Sequence, residues 1–242
     1  MPELEIISKF QEERIPALTS SKGWKEVLIK ENREKLVALN SLEPDLIHVD
    51  PQYLKQDIPH ALSIMYLRDG AANRLVKAAK LLPKGLKFLV WDAWRSLEVQ
   101  QSLFDEFKKR LHKENPDWND EKLNTETQTY VSLPSRNPSR PSPHNTGGAV
   151  DLSVCDFQNK PLSMGVTFDF FGKEASTNYY ETLESTNSEQ VLSRNNRRLL
   201  FHVMTYAGFT NYNEEYWHFD FGNQFDAIRK HTFAVYGSTS PK

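Results

Sequence analysis

The amino-acid sequence predicts an α+β fold whose central sheet is mainly antiparallel and flanked by helices. Three observations lead there. Helical periodicity recurs at 71–82, 96–112 and 190–206, and apolar runs at 86–91, 148–154 and 216–221 read as strands between those segments. The later strands also follow one another closely, without the long crossovers that parallel pairing requires. No internal repeat or seam divides the chain, so residues 1–242 are expected to form a single domain.

Residues 1–58 are weakly patterned, because Pro, Asp and Lys interrupt every apolar run. In 71–82, Leu75, Val76, Ala79 and Leu82 share one face, and Pro83 and Gly85 close the helix. The run Leu86-Lys87-Phe88-Leu89-Val90-Trp91 reads as a buried strand. Ser96 is a candidate cap for the next helix, which turns Leu97, Leu103, Phe104, Phe107 and Leu111 inward and leaves Lys108-Lys109-Arg110 on a solvated face. A short helix is expected near 120–131. Residues 132–143 carry four prolines and read as a stiff ordered loop; a disordered linker between domains is the rival reading. A strand follows at 148–154, then a stretch with little regular structure over 157–188. The segment 190–206 is the most strongly amphipathic, and Gly208 suits its C-terminal cap. Residues 216–221 read as an aromatic strand, and Phe233-Ala234-Val235-Tyr236 is expected to add a last edge strand.

Composition narrows the function classes. The chain is 38 % hydrophobic and 26 % charged with a formal net charge of −2, an ordinary balance that offers no field for nucleic acid or an anionic membrane. A domain of this length buries roughly 70 % of its unfolded surface and needs no disulfide. The single cysteine, Cys155, excludes an intrachain disulfide and reads as a small buried strand residue. The first twenty residues do not read as a signal peptide, and no run approaches the roughly 20 apolar residues of a membrane span. The expected compartment is the cytoplasm.

Two short stretches carry chemistry. Ser142-Pro143-His144-Asn145-Thr146-Gly147-Gly148-Ala149-Val150-Asp151 and Glu215-Tyr216-Trp217-His218 supply two imidazoles, a carboxylate and a further carboxylate beside the last imidazole. Such a set suits an open zinc site, with three protein ligands, a fourth position for water and a nearby base. His144 and Asp151 are seven residues apart, an odd spacing that puts them on opposite faces of a regular strand. Both reach one ion only if the backbone departs from the strand between them, and Gly147-Gly148 permits that. His218 then comes from a neighbouring strand. Each residue taken alone has a plainer role, as a structural histidine, a turn aspartate or a surface glutamate. Spacing by itself leaves open whether the two stretches meet.

The patterns S-x-H-x-x-G-x-A-x-D (Ser142, His144, Gly147, Ala149, Asp151) and E-x-W-H (Glu215, Trp217, His218) resemble the paired signatures of the D-alanyl-D-alanine dipeptidases. These VanX-like zinc peptidases are related to bacterial D,D-carboxypeptidases and to the hedgehog signalling domain. Tyr66-Leu67-Arg68, the segment ending Asp92-Ala93-Trp94-Arg95, Met164-Gly165 with Phe168-Asp169, and the Trp-His-Phe-Asp-Phe-Gly run extend the likeness over residues 45–225. The resemblance implies a hedgehog/D,D-peptidase-like fold with Zn2+ on His144, Asp151 and His218. It also implies Glu215 as general base and acid, and Arg95 as the group that stabilises the oxyanion. Asp169 would bind the substrate's free ammonium and Ser142 would line the same pocket. The implied partner is a small dipeptide, D-Ala-D-Ala or a near relative. Ser96 stands where the family often has proline, which a helix start tolerates, and the first fifty residues match poorly, leaving the side-chain preference open. Rival readings are a zinc D,D-carboxypeptidase or endopeptidase acting on murein stem peptides, a non-catalytic zinc-containing binding module, and a metal-free structural protein. For Arg95 the alternative is an internal salt bridge with Asp92, and for Asp169 a loop cap.

Overall fold

The computed structural model describes residues 9–184 and 186–241; residues 1–8, and with them the beginning of the stretch read for a signal peptide, lie outside the described residues. The strands are β1 (Leu36–Ala38), β2 (Ile47–Val49), β3 (Tyr66–Arg68), β4 (Leu86–Asp92), β5 (Ala149–Asp156), β6 (Thr210–Asn211) and β7 (His218–Asp220). The helices are α1 (Gln52–Lys55), α2 (Asp69–Ala79), α3 (Leu97–Glu114), α4 (Asp120–Tyr130), α5 (Ser188–Tyr206) and α6 (Gln224–Arg229).

The central sheet has the order β2-β4-β5-β7-β6, while β1 and β3 form a separate antiparallel pair. β4–β5, β5–β7 and β7–β6 run antiparallel, and β2–β4 is parallel. The sheet is therefore mixed rather than purely antiparallel. The parallel pair is possible because the chain between β2 and β4 passes through α1, β3 and α2, a crossover of the length such pairing needs. That first strand lies in the weakly patterned region, so alternation could not announce it.

β5 is the spine of the sheet, with every residue but Asp156 buried. A strand covered on both faces reads as a continuous apolar run rather than as alternation. α2 and α5 supply Ala71, Leu75, Ala78, Leu199, Leu200 and Val203 to one core with Phe88, Val90, Leu152 and Val154 of the sheet. Cys155 belongs to that core, and burial pushes its thiol up to about 11.

Local chemistry explains the helix starts. The Ser96 hydroxyl accepts from Val99 N at 3.2 Å, and Asn187 forms a reciprocal capping box with Gln190 at the start of α5. α3 buries Val99, Phe104 and Phe107, whereas Leu97, Leu103 and Leu111 are only half-buried, because α3 packs against α4 as a hairpin. Lys109 and Arg110 are exposed, as expected of a solvated face. The proline-rich stretch is pinned: Gln100 donates to the Ser132 carbonyl (2.7 Å), Gln224 to that of Ser139 (3.0 Å), and Arg140 pairs with Glu26 (3.1 Å).

Two strand expectations need correction. The aromatic strand begins at His218, since Glu215 and Tyr216 belong to a turn in which Glu215 N donates to the Tyr212 carbonyl (3.2 Å). Phe233–Tyr236 adds no edge strand. Ala234 makes a single bridge to Ile29, and the N–H groups of Val235 and Tyr236 both donate to the Gly222 carbonyl, which is a turn and not a ladder. Tyr236 is drawn inward instead, fully buried with its hydroxyl donating to Glu34 at 2.6 Å. Beyond it the chain returns to the residue-144 turn: Thr239 N donates to the Asn145 carbonyl (3.1 Å), and the Trp94 indole N–H donates to the Thr239 carbonyl (2.9 Å). Among the described residues no helix is long and apolar enough to cross a membrane.

Candidate metal centre and active site

β5 and β7 bring the two sequence motifs together. Asp151 and His218 are register partners across these strands, so their side chains rise side by side from one face. His144 arrives from the short 3-10 turn Pro143–Thr146. Gly147 then leaves that turn with φ +70, and a Cβ on Gly148 would lie 2.4 Å from the Phe221 carbonyl oxygen. Both glycines are needed to fold His144 back over Asp151.

The three donors converge, with ligand atoms within 4.8 Å of one another. His218 Nδ1 lies 2.9 Å from Asp151 Oδ1, His144 Nε2 lies 3.3 Å from Asp151 Oδ2, and the two ring nitrogens are 3.2 Å apart. Zinc bound tetrahedrally at about 2.0–2.1 Å needs donors separated by about 3.3 Å, which these spacings match. The outer nitrogens are already committed. His144 Nδ1 donates to the Ala93 carbonyl (2.6 Å) and His218 Nε2 donates to Asp220 Oδ1 (3.1 Å). With a cation shared between the rings, these bonds would set each tautomer and turn the inner nitrogen's lone pair toward the ion beside Asp151. Three electron-rich atoms so close and so buried call for a shared cation. The donor set, two imidazoles and one carboxylate without thiolates, fits an open zinc site.

Asp220 was not singled out in the sequence, although it stands two residues after His218 on the same strand and hence on the same face. It is fully buried and also accepts from Asn223 Nδ2 at 2.7 Å. Outer partners of metal-binding histidines carry roughly 10- to 100-fold of metal affinity, so Asp220→Asn is expected to weaken zinc binding by about that factor. Competition with a chromogenic chelator measures it.

Arg95 sits at the rim of the cluster. Its Nε pairs with Asp92 Oδ2 at 2.9 Å, Nη1 donates to Gln100 Oε1 at 3.1 Å, and Nη2 points at Asp151 Oδ2 from 3.9 Å. The Asp92 salt bridge therefore exists, and it aims the guanidinium at the centre rather than away from it. Burial opposes the charge of Arg95, but Tyr53, Asp92, Asp151 and Asp169 outweigh it, and the group stays cationic. A bulge places Asp92 there: β4 pairs Val90 with Leu152 but Asp92 with Asp151, so Trp91 is one residue extra.

Glu215 enters from the turn before β7, half-buried. Burial raises its carboxyl above the ordinary range, tempered by the nearby His218, while Asp151 adds to the rise. Asp169 holds a left-handed backbone (φ +55), and burial with Asp151 and Glu215 nearby pushes its carboxyl up to about 7. Tyr53 and Arg95 hold that rise in check, and the Tyr53 ring lies 5.1 Å from the Arg95 guanidinium. Tyr53 lies in the segment without pattern, and no sequence signal marked it. Ser142 opens the turn that carries His144; its hydroxyl caps no backbone N–H.

Residues 48–236 match the family model described as D-ala-D-ala dipeptidase, peptidase M15. The chain belongs to this family. It is similar to a D-alanyl-D-alanine dipeptidase of Synechocystis sp. (strain ATCC 27184 / PCC 6803 / Kazusa), at 32 % identity over 172 residues that span 65 % of this chain and 70 % of the relative. This dipeptidase-family member is a metallopeptidase, and the matched span contains all seven residues named as site candidates. Among solved structures it is similar to a zinc-bound mutant of the vancomycin resistance D,D-pentapeptidase VanY (16 % identity, TM-score 0.40, covering 71 % of this chain and 83 % of that one). Another is VanYB in complex with D-alanine-D-alanine (18 % identity, TM-score 0.41, covering 72 % and 82 %).

Proposed function

We propose that this chain, working as one domain, hydrolyses D-Ala-D-Ala or a closely related D,D-dipeptide with zinc held by His144, Asp151 and His218. The observation that carries this is the convergence of those three donors, with their outer nitrogens already hydrogen-bonded, beside Arg95, Glu215 and Asp169. The similar D-alanyl-D-alanine dipeptidase of Synechocystis sp. supports the substrate class.

A zinc ion held by His144, Asp151 and His218 would supply Lewis acidity, which lowers the pKa of a water to about 7 and polarises a carbonyl. The chain's own residues do the rest. Glu215 takes the proton from the attacking water as the new C–O bond forms, then delivers it to the amine as the C–N bond breaks. Its raised pKa suits a group that must hold a proton between those steps. Arg95, fixed by Asp92 and Gln100, presents a positive charge to the tetrahedral oxyanion. Asp169, with Tyr53 and Arg95 beside it, holds the substrate ammonium, and Ser142 lines the pocket.

Metal analysis of the purified protein beside an amine-release assay with D-Ala-D-Ala and L-Ala-L-Ala tests this. Bound zinc with hydrolysis of the D,D-dipeptide alone is the expected result; bound zinc with cleavage only of long stem peptides overturns it. Arg95→Ala is expected to lower turnover about 10²- to 10³-fold while zinc content is kept. Equal loss of both would assign Arg95 a structural role.

The pH dependence follows from Asp169. Below about 7 its carboxyl keeps its proton and offers no charge to the ammonium; above that it is anionic, and the dipeptide amine stays protonated to about pH 8. KM for the dipeptide is therefore expected to rise as pH falls below about 7, and Asp169→Asn is expected to flatten that rise.

A further inference from the structure

The segment carrying Asp169 is held in three places. At its base Arg197, fully buried, donates to the carbonyls of Met164 (2.9 Å), Glu174 (2.7 Å) and Ser176 (2.7 Å), and lies between the rings of Tyr180 and Tyr216. On its inner side Phe168 packs among Trp91 (5.1 Å), Tyr53 (5.6 Å) and Trp217 (5.7 Å). On its outer side Phe171 meets the α3–α4 hairpin. Its ring centroid lies 4.8 Å from Phe107 and 5.4 Å from Tyr130, both edge-on, and Phe107 and Tyr130 are themselves 5.4 Å apart. The Arg110 guanidinium covers Phe107 at 4.4 Å and approaches Phe171 at 5.6 Å. Unlike the base and the inner pin, this third hold is half open to water: Phe171 is 41 % exposed and Tyr130 49 %.

Phe171, Tyr130 and Phe107 touch one another as a single aromatic cluster, unlike exposed apolar side chains scattered singly. The hairpin contributes no candidate catalytic group, yet it reaches across to grip the chain two residues beyond Asp169. Asp169 itself sits in a left-handed conformation, uncommon for a residue other than glycine. We propose that Phe107, Tyr130 and Phe171 form a clasp that holds Asp169 over the metal centre, making Phe171 a positioning residue for recognition of the substrate's free amine. This rests on the reading of Asp169 as the ammonium partner. Freed of the clasp, the Asp169 loop samples other conformations, so binding weakens while the metal and the bond-breaking groups stay in place.

The test is steady-state kinetics on D-Ala-D-Ala with zinc-loaded Phe171→Ala and Phe171→Tyr, alone and combined with Asp169→Asn. Two edge-to-face ring contacts are each worth a factor of several, so Phe171→Ala is expected to raise KM about tenfold with kcat within about twofold of the parent. Zinc affinity stays unchanged, and Phe171→Tyr restores KM. In the Asp169→Asn background Phe171→Ala adds no further rise, because the group it positions is already gone. A rise that adds in full to that of Asp169→Asn, or no rise from Phe171→Ala, overturns the clasp. If Asp169→Asn leaves KM unchanged, the ammonium reading fails first and the clasp with it. Tyr130→Ala opens the same clasp from the hairpin side without touching the loop. It is expected to reproduce the KM rise should Phe171→Ala fold poorly; an unchanged KM overturns the proposal.

Discussion

Replacing His218 with alanine is expected to remove zinc and activity together. Its Nδ1 is one of the three proposed donors, and its loss leaves His144 and Asp151, too few for a stable tetrahedral site. The change also strips Asp220 of the ring that donates to it at 3.1 Å, orphaning part of a fully buried carboxylate. Zinc affinity should fall by well over the ~100-fold that loss of an outer partner causes, and turnover should follow the metal. Zinc content by elemental analysis and amine release from D-Ala-D-Ala measure the two losses. A His218→Ala protein that keeps a full equivalent of zinc would sink the proposed ligand set, since these three residues are the metal-capable group found among the described residues.

Glu215→Ala should behave in the opposite way. Glu215 is not among the three donors, so zinc is retained. What the proposed mechanism loses is its carrier of the proton, a contribution typically worth about 10²- to 10⁴-fold in turnover. The expected phenotype is a protein with full metal and kcat lower by that factor. Zinc titration and single-turnover hydrolysis separate the two quantities. Full activity in Glu215→Ala would move the base to another group, with Asp169 the next carboxyl to examine.

Much of this site is legible in the sequence because its logic is local. Gly147-Gly148 announced the departure that folds His144 back over Asp151, and both glycines meet steric limits where they stand. Apolar runs announced β4 and β5, whose burial on both faces leaves no alternation to read. Other parts depend on pairing between distant segments. The extra residue Trp91 in β4 becomes a bulge only against β5, and the bulge is what sets Asp92 opposite Asp151. Tyr53 comes from a short helix in a segment without periodicity, and its partners Asp169 and Arg95 lie far along the chain. Phe233–Tyr236 looked like a strand because β-branched and aromatic side chains favour sheets, yet the burial of Tyr236 outweighed that propensity.

The return of the final segment to the residue-144 turn bears on how the protein matures. Thr239 grips Asn145 and Trp94, and His218 is itself a late residue. A ribosome must therefore translate nearly all of the described chain before the pocket for the ion can be assembled. On the proposed ligand set, capture of the ion is then a late event of folding, possible only once the strands that carry Asp151 and His218 have paired.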